Sequence, residues 1–297
     1  MRLSILLLIS ILSGAISFPL HSQKLIKILA IGNSFSEDAV ENYLYDLANA
    51  DGVNLVIGNM YIGGCSLETH AINANENKSA YSYRKIIDGQ KVVTENVSLL
   101  NAIKDEDWDF ITFQQVSQNS GLLNTFFPYL SSLKKYVEMN VTNPKVKFAL
   151  HQTWAYESNS THEGFANYSN DQLQMYNAIV NAINGAAKYE GIETIIPSGT
   201  AIQNGRNSLV EKSFTRDGYH LSLDIGRYTA ACTWYEVLTN ISVVGNTFVP
   251  EGLSDEEIDI AQKSAQSAVL NPNSITTSIE FNLNTFFYQN WVLSLNR

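Results

Sequence analysis

Residues 25–31, Leu-Ile-Lys-Ile-Leu-Ala-Ile, form a near-continuous apolar run that stops at Gly32, the pattern of a strand buried on both faces of a parallel sheet. Apolar groups then recur at Val40, Tyr43, Leu44, Leu47 and Ala48, a spacing of three and four that predicts a helix, with Ser36 as its N-cap and Glu37-Asp38 in its first turn. A second strand over 53–62 ends at Gly63-Gly64, and a third over 108–113 runs into the polar loop 114–121. Between them, residues 73–90 are polar and irregular and read as a hairpin or a substrate-facing insert. Downstream the pattern predicts helices over 127–139, 172–189 and 225–238, with strands over 146–151 and 194–197, and a loop at 217–222 before the last of those helices. A further helix over 254–269 belongs to a C-terminal extension from about residue 250.

Strands alternating with helices predict a three-layer α/β/α sandwich around a central parallel sheet. No repeat and no Pro/Gly/Ser-rich linker interrupts residues 23–297, which read as a single domain. The chain begins Met-Arg, continues with an apolar run over 3–12 and then with small and turn-forming residues. That outline reads as a signal peptide over 1–22, cleaved near Ser22-Gln23, and predicts an exported protein, periplasmic or secreted, with no stable membrane insertion after cleavage. The formal net charge of −10 offers no basic surface for phosphate backbones, so nucleic acid is not an expected partner. Cys65 and Cys232 are too few for a disulfide scaffold and read as two buried thiols rather than a bridge. No His, Cys or carboxylate spacing calls for a metal, and no cofactor is expected.

A sheet of this kind gathers ligands at the carboxyl ends of its strands. Those ends carry Ser34, then Gly63-Gly64, then the Gln/Asn-rich segment 114–119. A serine hydroxyl needs a base to take its proton, and neutral His is the side chain best poised to do so near neutral pH. His220 is placed for that role, with Asp217 three residues earlier to fix its tautomer. Donors for a developing oxyanion are at hand in the Ser34 N–H, a glycine N–H at 63–64, and a Gln or Asn amide. His151 reads as a structural histidine, and His70 and His162 as exposed loop residues. Trp154 and Tyr219, aromatic residues in or beside these loops, are candidates for contact with substrate.

These blocks resemble the SGNH hydrolase superfamily, also called GDSL-like esterases, over most of the mature chain, and are closest to an exported bacterial branch of it. Gly32-Asn33-Ser34 is similar to the first block, Gly64 falls on the second, and Asp217-Gly218-Tyr219-His220 matches the last without gaps. The resemblance implies a flavodoxin-like fold, a Ser34 nucleophile, a His220 base oriented by Asp217, and an oxyanion hole from Ser34, Gly64 and an amide of the third block. That block departs from the family's Gly-x-Asn-Asp, reading Gln114-Gln115-Val116-Ser117-Gln118-Asn119. Gln115 is the expected donor, with Gln118 and Asn119 as alternatives. The paired carboxylates of glycosidases and the Gly-x-Ser-x-Gly elbow of α/β-hydrolases are both missing from the sequence. The expected activity is hydrolysis of a small-molecule or oligosaccharide ester, foremost deacetylation of an O-acetylated carbohydrate. A lipid or thioester hydrolase, an acyl transferase, and a non-catalytic carbohydrate-binding protein are the rival readings.

Overall fold

A computed structural model describes residues 24–208 and 212–276. The expected signal peptide over 1–22 and the last part of the C-terminal extension lie outside the described residues. Strand β1 (Lys24–Gly32) leads through a turn into α1 (Ser34–Val40) and α2 (Leu44–Ala50), and β2 (Val53–Tyr61) leads into α3 (Leu67–Asn75). A hairpin of β3 (Tyr81–Ile87) and β4 (Gln90–Val97) precedes α4 (Leu99–Ile103) and β5 (Phe110–Phe113). Then come α5 (Tyr129–Glu138), β6 (Lys147–His151), α6 (Gln172–Glu190), β7 (Thr194–Ile196), α7 (Ser198–Arg206), α8 (Ile225–Thr239) and α9 (Asp255–Leu270).

The seven strands form one sheet in the order β4-β3-β2-β1-β5-β6-β7. β2, β1, β5, β6 and β7 run parallel, and counted among themselves they lie in the flavodoxin-like order 2-1-3-4-5. The expected central parallel sheet is present, and the hairpin extends it on the β2 edge, with β3 antiparallel to β2 and β4 antiparallel to β3. Its turn is Asp88-Gly89, both at positive φ (51° and 72°), the geometry that suits a two-residue hairpin to the twist of its strands.

Side-chain alternation divides β1 between two cores. Ile26, Ile28 and Ala30 face one core with residues of α1, α2, α8 and α9; Leu29 and Ile31 face the other with residues of α3, α4 and α5. Helix α9 places Ile258, Ala261 and Ala265 in the first core, so this part of the extension is packed into a layer rather than appended to it. Loops leave β1 and β5 in opposite directions at the point where the strand order reverses, and the crevice between them is where such sheets hold ligands.

Candidate active site

At the carboxyl end of β1 the chain turns sharply at Gly32-Asn33. A Cβ at Gly32 would stand 2.6 Å from Ser36 Oγ, so only glycine admits this approach. The helix cap is Asn33, not Ser36 as the sequence suggested: Phe35 N–H donates to Asn33 Oδ1 at 3.0 Å. Ser36 turns inward instead, donating to Asn33 O and Asn59 Oδ1 at 2.8 and 2.9 Å. This leaves Ser34, partly exposed, as the first residue of α1, where a backbone N–H has no intrahelical partner.

Ser34 Oγ lies 2.9 Å from His220 Nε2, and His220 Nδ1 lies 2.7 Å from Asp217 Oδ2. Asp217 Oδ1 also accepts the N–H groups of His220 and Tyr219 at 2.7 and 3.2 Å. Burial alone raises the Asp217 pKa, but the bonds it accepts from His220 and Tyr219 outweigh that and hold it below the ordinary carboxylate value. An ionised Asp217 can only accept, so the proton of neutral His220 resides on Nδ1, and Nε2 is free to accept from the Ser34 hydroxyl.

The loop that carries this pair is closed by Thr215 and Leu221, which form a β-bridge, and by Arg216 N–H to His220 O at 2.9 Å. It is fastened to α1 by Asp38, which is buried and accepts from Leu221 N–H at 2.9 Å, Arg216 Nη1 at 3.1 Å and Arg227 Nε at 2.8 Å. The helix that begins with Ser34 thus holds the loop that ends with His220. The sequence reading assigned Asp38 only to the helix's acidic first turn. Its neighbour Glu37, equally acidic in sequence, instead pairs with Arg84 at 2.9 Å, so local pattern alone did not mark which of the two is the anchor.

Trp154, expected in the substrate cleft, is fully buried. Its ring stacks on Phe35 with centroids 4.3 Å apart, and its Nε1 donates to Tyr219 O at 2.7 Å, so it supports the site from beneath. Tyr219 itself is partly exposed, its ring centroid 4.2 Å from that of His220 and 4.8 Å from that of His162.

Gly64 is exposed, with φ of +64°, in the turn after β2. That turn is drawn toward Ser34 by Asn33 Nδ2, which donates to Cys65 O at 3.0 Å. Neither the Ser34 nor the Gly64 N–H has an acceptor among the described residues. Gln115, the expected third donor, is 2% exposed and fully engaged. Its Oε1 accepts from Leu67 and Val116 N–H at 3.1 and 2.8 Å, and its Nε2 donates to Thr125 O at 2.9 Å. The carboxamide therefore ties the β5 end to α3 and cannot also point at a reacting carbonyl. Gln118 and Asn119 remain partly exposed.

Gln114 lies on the opposite side of the strand end. Its Nε2 donates to Asn33 Oδ1 at 2.7 Å and its Oε1 accepts from His151 Nδ1 at 2.8 Å, while His151 Nε2 meets Ser198 Oγ at 3.1 Å. Burial lowers the His151 pKa to about 3, which keeps the ring neutral in this chain of bonds. His70 is not an exposed loop residue but a buried one on α3, with Nδ1 2.9 Å from Tyr81 OH and a pKa lowered by burial to about 3. His162 is half-buried, and its Nδ1 accepts from Gly164 N–H at 3.0 Å. Both cysteines are free and buried, and burial pushes the Cys65 thiol up to about 12. Among the described residues no group of three or more His, Cys, Asp or Glu side chains could hold a metal ion, and no helix is long and apolar enough to cross a membrane.

Residues 27–268 match the family model described as a domain of unknown function, DUF4886. A crystal structure of a DUF4886 family protein from Bacteroides uniformis is 48% identical, covers 86% of this chain and 99% of its own, and superposes with a TM-score of 0.85. Two more distant solved structures share 12% identity. One is a catalytic mutant of Axe2, an acetylxylan esterase from Geobacillus stearothermophilus (TM-score 0.46; 76% of this chain, 97% of that one). The other is a GDSL-like lipase from Bacteroides thetaiotaomicron (TM-score 0.42; 72% and 86%). No curated protein matches the chain.

Proposed function

The chain belongs to the DUF4886 family, and from the geometry around Ser34 we propose that it is a serine esterase that removes short acyl groups, foremost acetyl, from carbohydrate hydroxyls. The observation that carries this reading is the continuous bond from Ser34 Oγ through His220 to Asp217, at 2.9 and 2.7 Å. Nucleophile, base and orienter are then in one line, which is the arrangement acyl transfer requires.

In this mechanism Ser34 Oγ bonds to the ester carbonyl carbon as its proton passes to His220 Nε2. The carbonyl oxygen takes up the electron pair and is held by the Ser34 and Gly64 N–H groups, with Gln118 or Asn119 as the available side-chain amide. Collapse breaks the bond to the alcohol oxygen, which receives the proton from His220. Water then attacks the acyl-Ser34 carbonyl with His220 again as base, releasing the acid and restoring the hydroxyl. Asp217, ionised throughout, stabilises the imidazolium that forms twice per turnover.

The leader-like residues 1–22 support export, which brings such an enzyme to extracellular or periplasmic polysaccharide. Acetate release from a panel of O-acetylated polysaccharides, by wild type and by Ser34→Ala, tests the reading directly. Release by wild type alone is expected, together with fluorophosphonate labelling that Ser34→Ala abolishes. Faster turnover of long-chain than of acetyl nitrophenyl esters would instead identify a lipid ester as substrate, and undiminished release by Ser34→Ala would rule out the serine mechanism.

A further inference from the structure

A cleft of about 370 Å³ opens beside the Asp217–Gly218 turn, lined by Glu157, Asn159, Thr161, Ser213, Thr215 and Arg216. The mechanism above leaves it without a role. Its volume falls in the usual range of small-ligand sites, roughly 300–1,000 Å³. Such sites are mostly apolar with a few polar groups, whereas this lining contains no apolar side chain. Carboxylate, carboxamide, hydroxyl and guanidinium groups follow one another around it. A hydrocarbon chain gains nothing from such walls, but a polyhydroxylated molecule finds both donors and acceptors there.

Several of these groups are uncommitted. Asn159 and Thr161 are exposed, and among the described residues their side chains have no hydrogen-bond partner. Glu157 uses Oε1 to accept from Ser213 Oγ at 2.8 Å and to pair with Arg206 at 3.9 Å, and Oε2 has no partner among the described residues. Charge narrows the ligand further. Glu157 and Asp217 bring two carboxylates, and the two arginines beside them are already paired, Arg216 with Asp38 at 3.1 Å and Arg206 with Glu157 at 3.9 Å. Both arginines are thus engaged with protein carboxylates, which disfavours an acidic ligand in the cleft.

Position relates it to the reaction. The departing alcohol takes its proton from His220, so it leaves on the His220 side of Ser34. Asp217, one hydrogen bond behind His220, forms part of the cleft wall, and the partly exposed Tyr219 ring lies 4.2 Å from that of His220. We propose that this cleft is a saccharide subsite on the leaving-alcohol side, which holds a neutral sugar unit next to the one that carries the ester. The assignment to the alcohol side rests on the esterase reading; the saccharide preference rests on the lining itself.

Binding and turnover separate the two. Titration calorimetry of Ser34→Ala protein with xylotetraose, cellotetraose, mannotetraose and, as the acidic counterpart, trigalacturonate tests the cleft. At least one neutral tetrasaccharide is expected to bind, with trigalacturonate weaker. Adding Asn159→Ala and Thr161→Ala is expected to weaken binding about tenfold, the loss of two ordinary hydrogen bonds. Both positions are exposed, so the melting temperature should hold and serves as the folding control. Failure of every neutral tetrasaccharide to bind, equal affinity in the triple variant, or tighter binding of trigalacturonate overturns the proposal. Wild-type turnover of 4-nitrophenyl acetate is measured in parallel. Saccharide binding without turnover removes the esterase reading and leaves the subsite; turnover without saccharide binding removes the subsite alone.

Discussion

The Asp38 carboxylate accepts the Leu221 N–H at 2.9 Å, so the helix that begins with Ser34 grips the loop that carries His220. The same carboxylate takes Arg216 and Arg227, and its side chain is wholly buried. Asp38→Asn keeps the shape but leaves two guanidinium groups without their counter-ion. Removing one partner of a buried ion pair costs roughly 3–5 kcal/mol, and the partial exposure of both arginines places this case toward the low end. Thermal melts should show that loss, and turnover of 4-nitrophenyl acetate should fall through kcat more than through KM as the Ser34–His220 distance loosens.

Asp217→Asn replaces an acceptor-only group with one that can also donate, which frees His220 to adopt the tautomer that points a hydrogen at Ser34. A comparable change in a serine protease triad lowers the rate about 10⁴-fold. Asp217 is more accessible, with its side chain 38% exposed, so a loss of about 10²- to 10⁴-fold is expected. Stability should change little. Steady-state kinetics beside a urea titration separates the two effects.

Trp154→Phe retains a ring against Phe35 but deletes the indole N–H that holds Tyr219 O. One net hydrogen bond, about 1 kcal/mol, should disappear from stability, with a fall in kcat because Tyr219 precedes His220. Trp154→Ala should cost about 3–5 kcal/mol by leaving a cavity in the core. Equal kcat in wild type and Trp154→Phe would show that this bond does not position the base.

Gln115 and Gly64 make opposite predictions. Gln115→Leu should lower stability by about 2 kcal/mol, because it strips buried N–H groups of Leu67 and Val116 of their acceptor, with the rate of properly folded enzyme little altered. Gly64→Ala imposes a left-handed conformation on a residue with a Cβ, at about 1–2 kcal/mol, and should depress kcat through the displaced N–H. Chemical denaturation and single-turnover acylation distinguish the two signatures.

Acid should weaken the fold through His70 and His151. Burial lowers each from 6.5 to about 3, so between those values the unfolded chain binds protons that the native chain refuses. Stability is therefore fully present above about pH 6.5 and is lost as pH falls toward 3, with a slope of up to about 1.4 kcal/mol per pH unit for each histidine. Urea midpoints at a series of pH values should show this slope, and His151→Gln should shed one histidine's share of it.

Ser34, Asp217 and His220 were recognisable before any coordinates because their chemistry is local in type: a serine after a strand-ending glycine, and an Asp three residues before a His. The parallel strands were readable for a similar reason, as short apolar runs broken by Gly or polar loops. The β3–β4 hairpin was less so, since all but the last residue of β4 is exposed and carries no apolar alternation; its Asp88-Gly89 turn was the usable signal. Gln114 and Gln115 are adjacent and identical in type, yet the pleat sends one to Asn33 and the other to Leu67. Residue type could not separate them.

The sequence by itself determined the order of elements and the residue types capable of acyl transfer, because periodicity and ionisable chemistry are written position by position. Only the tertiary structure decided which groups are spent on holding the site and which are left to act in it. Gln115 and Trp154 looked available and are consumed by neighbours; Asp38 looked like one acid of a helix turn and is the clasp between the Ser34 helix and the His220 loop. A polar group's role depends on whether its hydrogen bonds are already satisfied, and those partners come from segments far away in the chain.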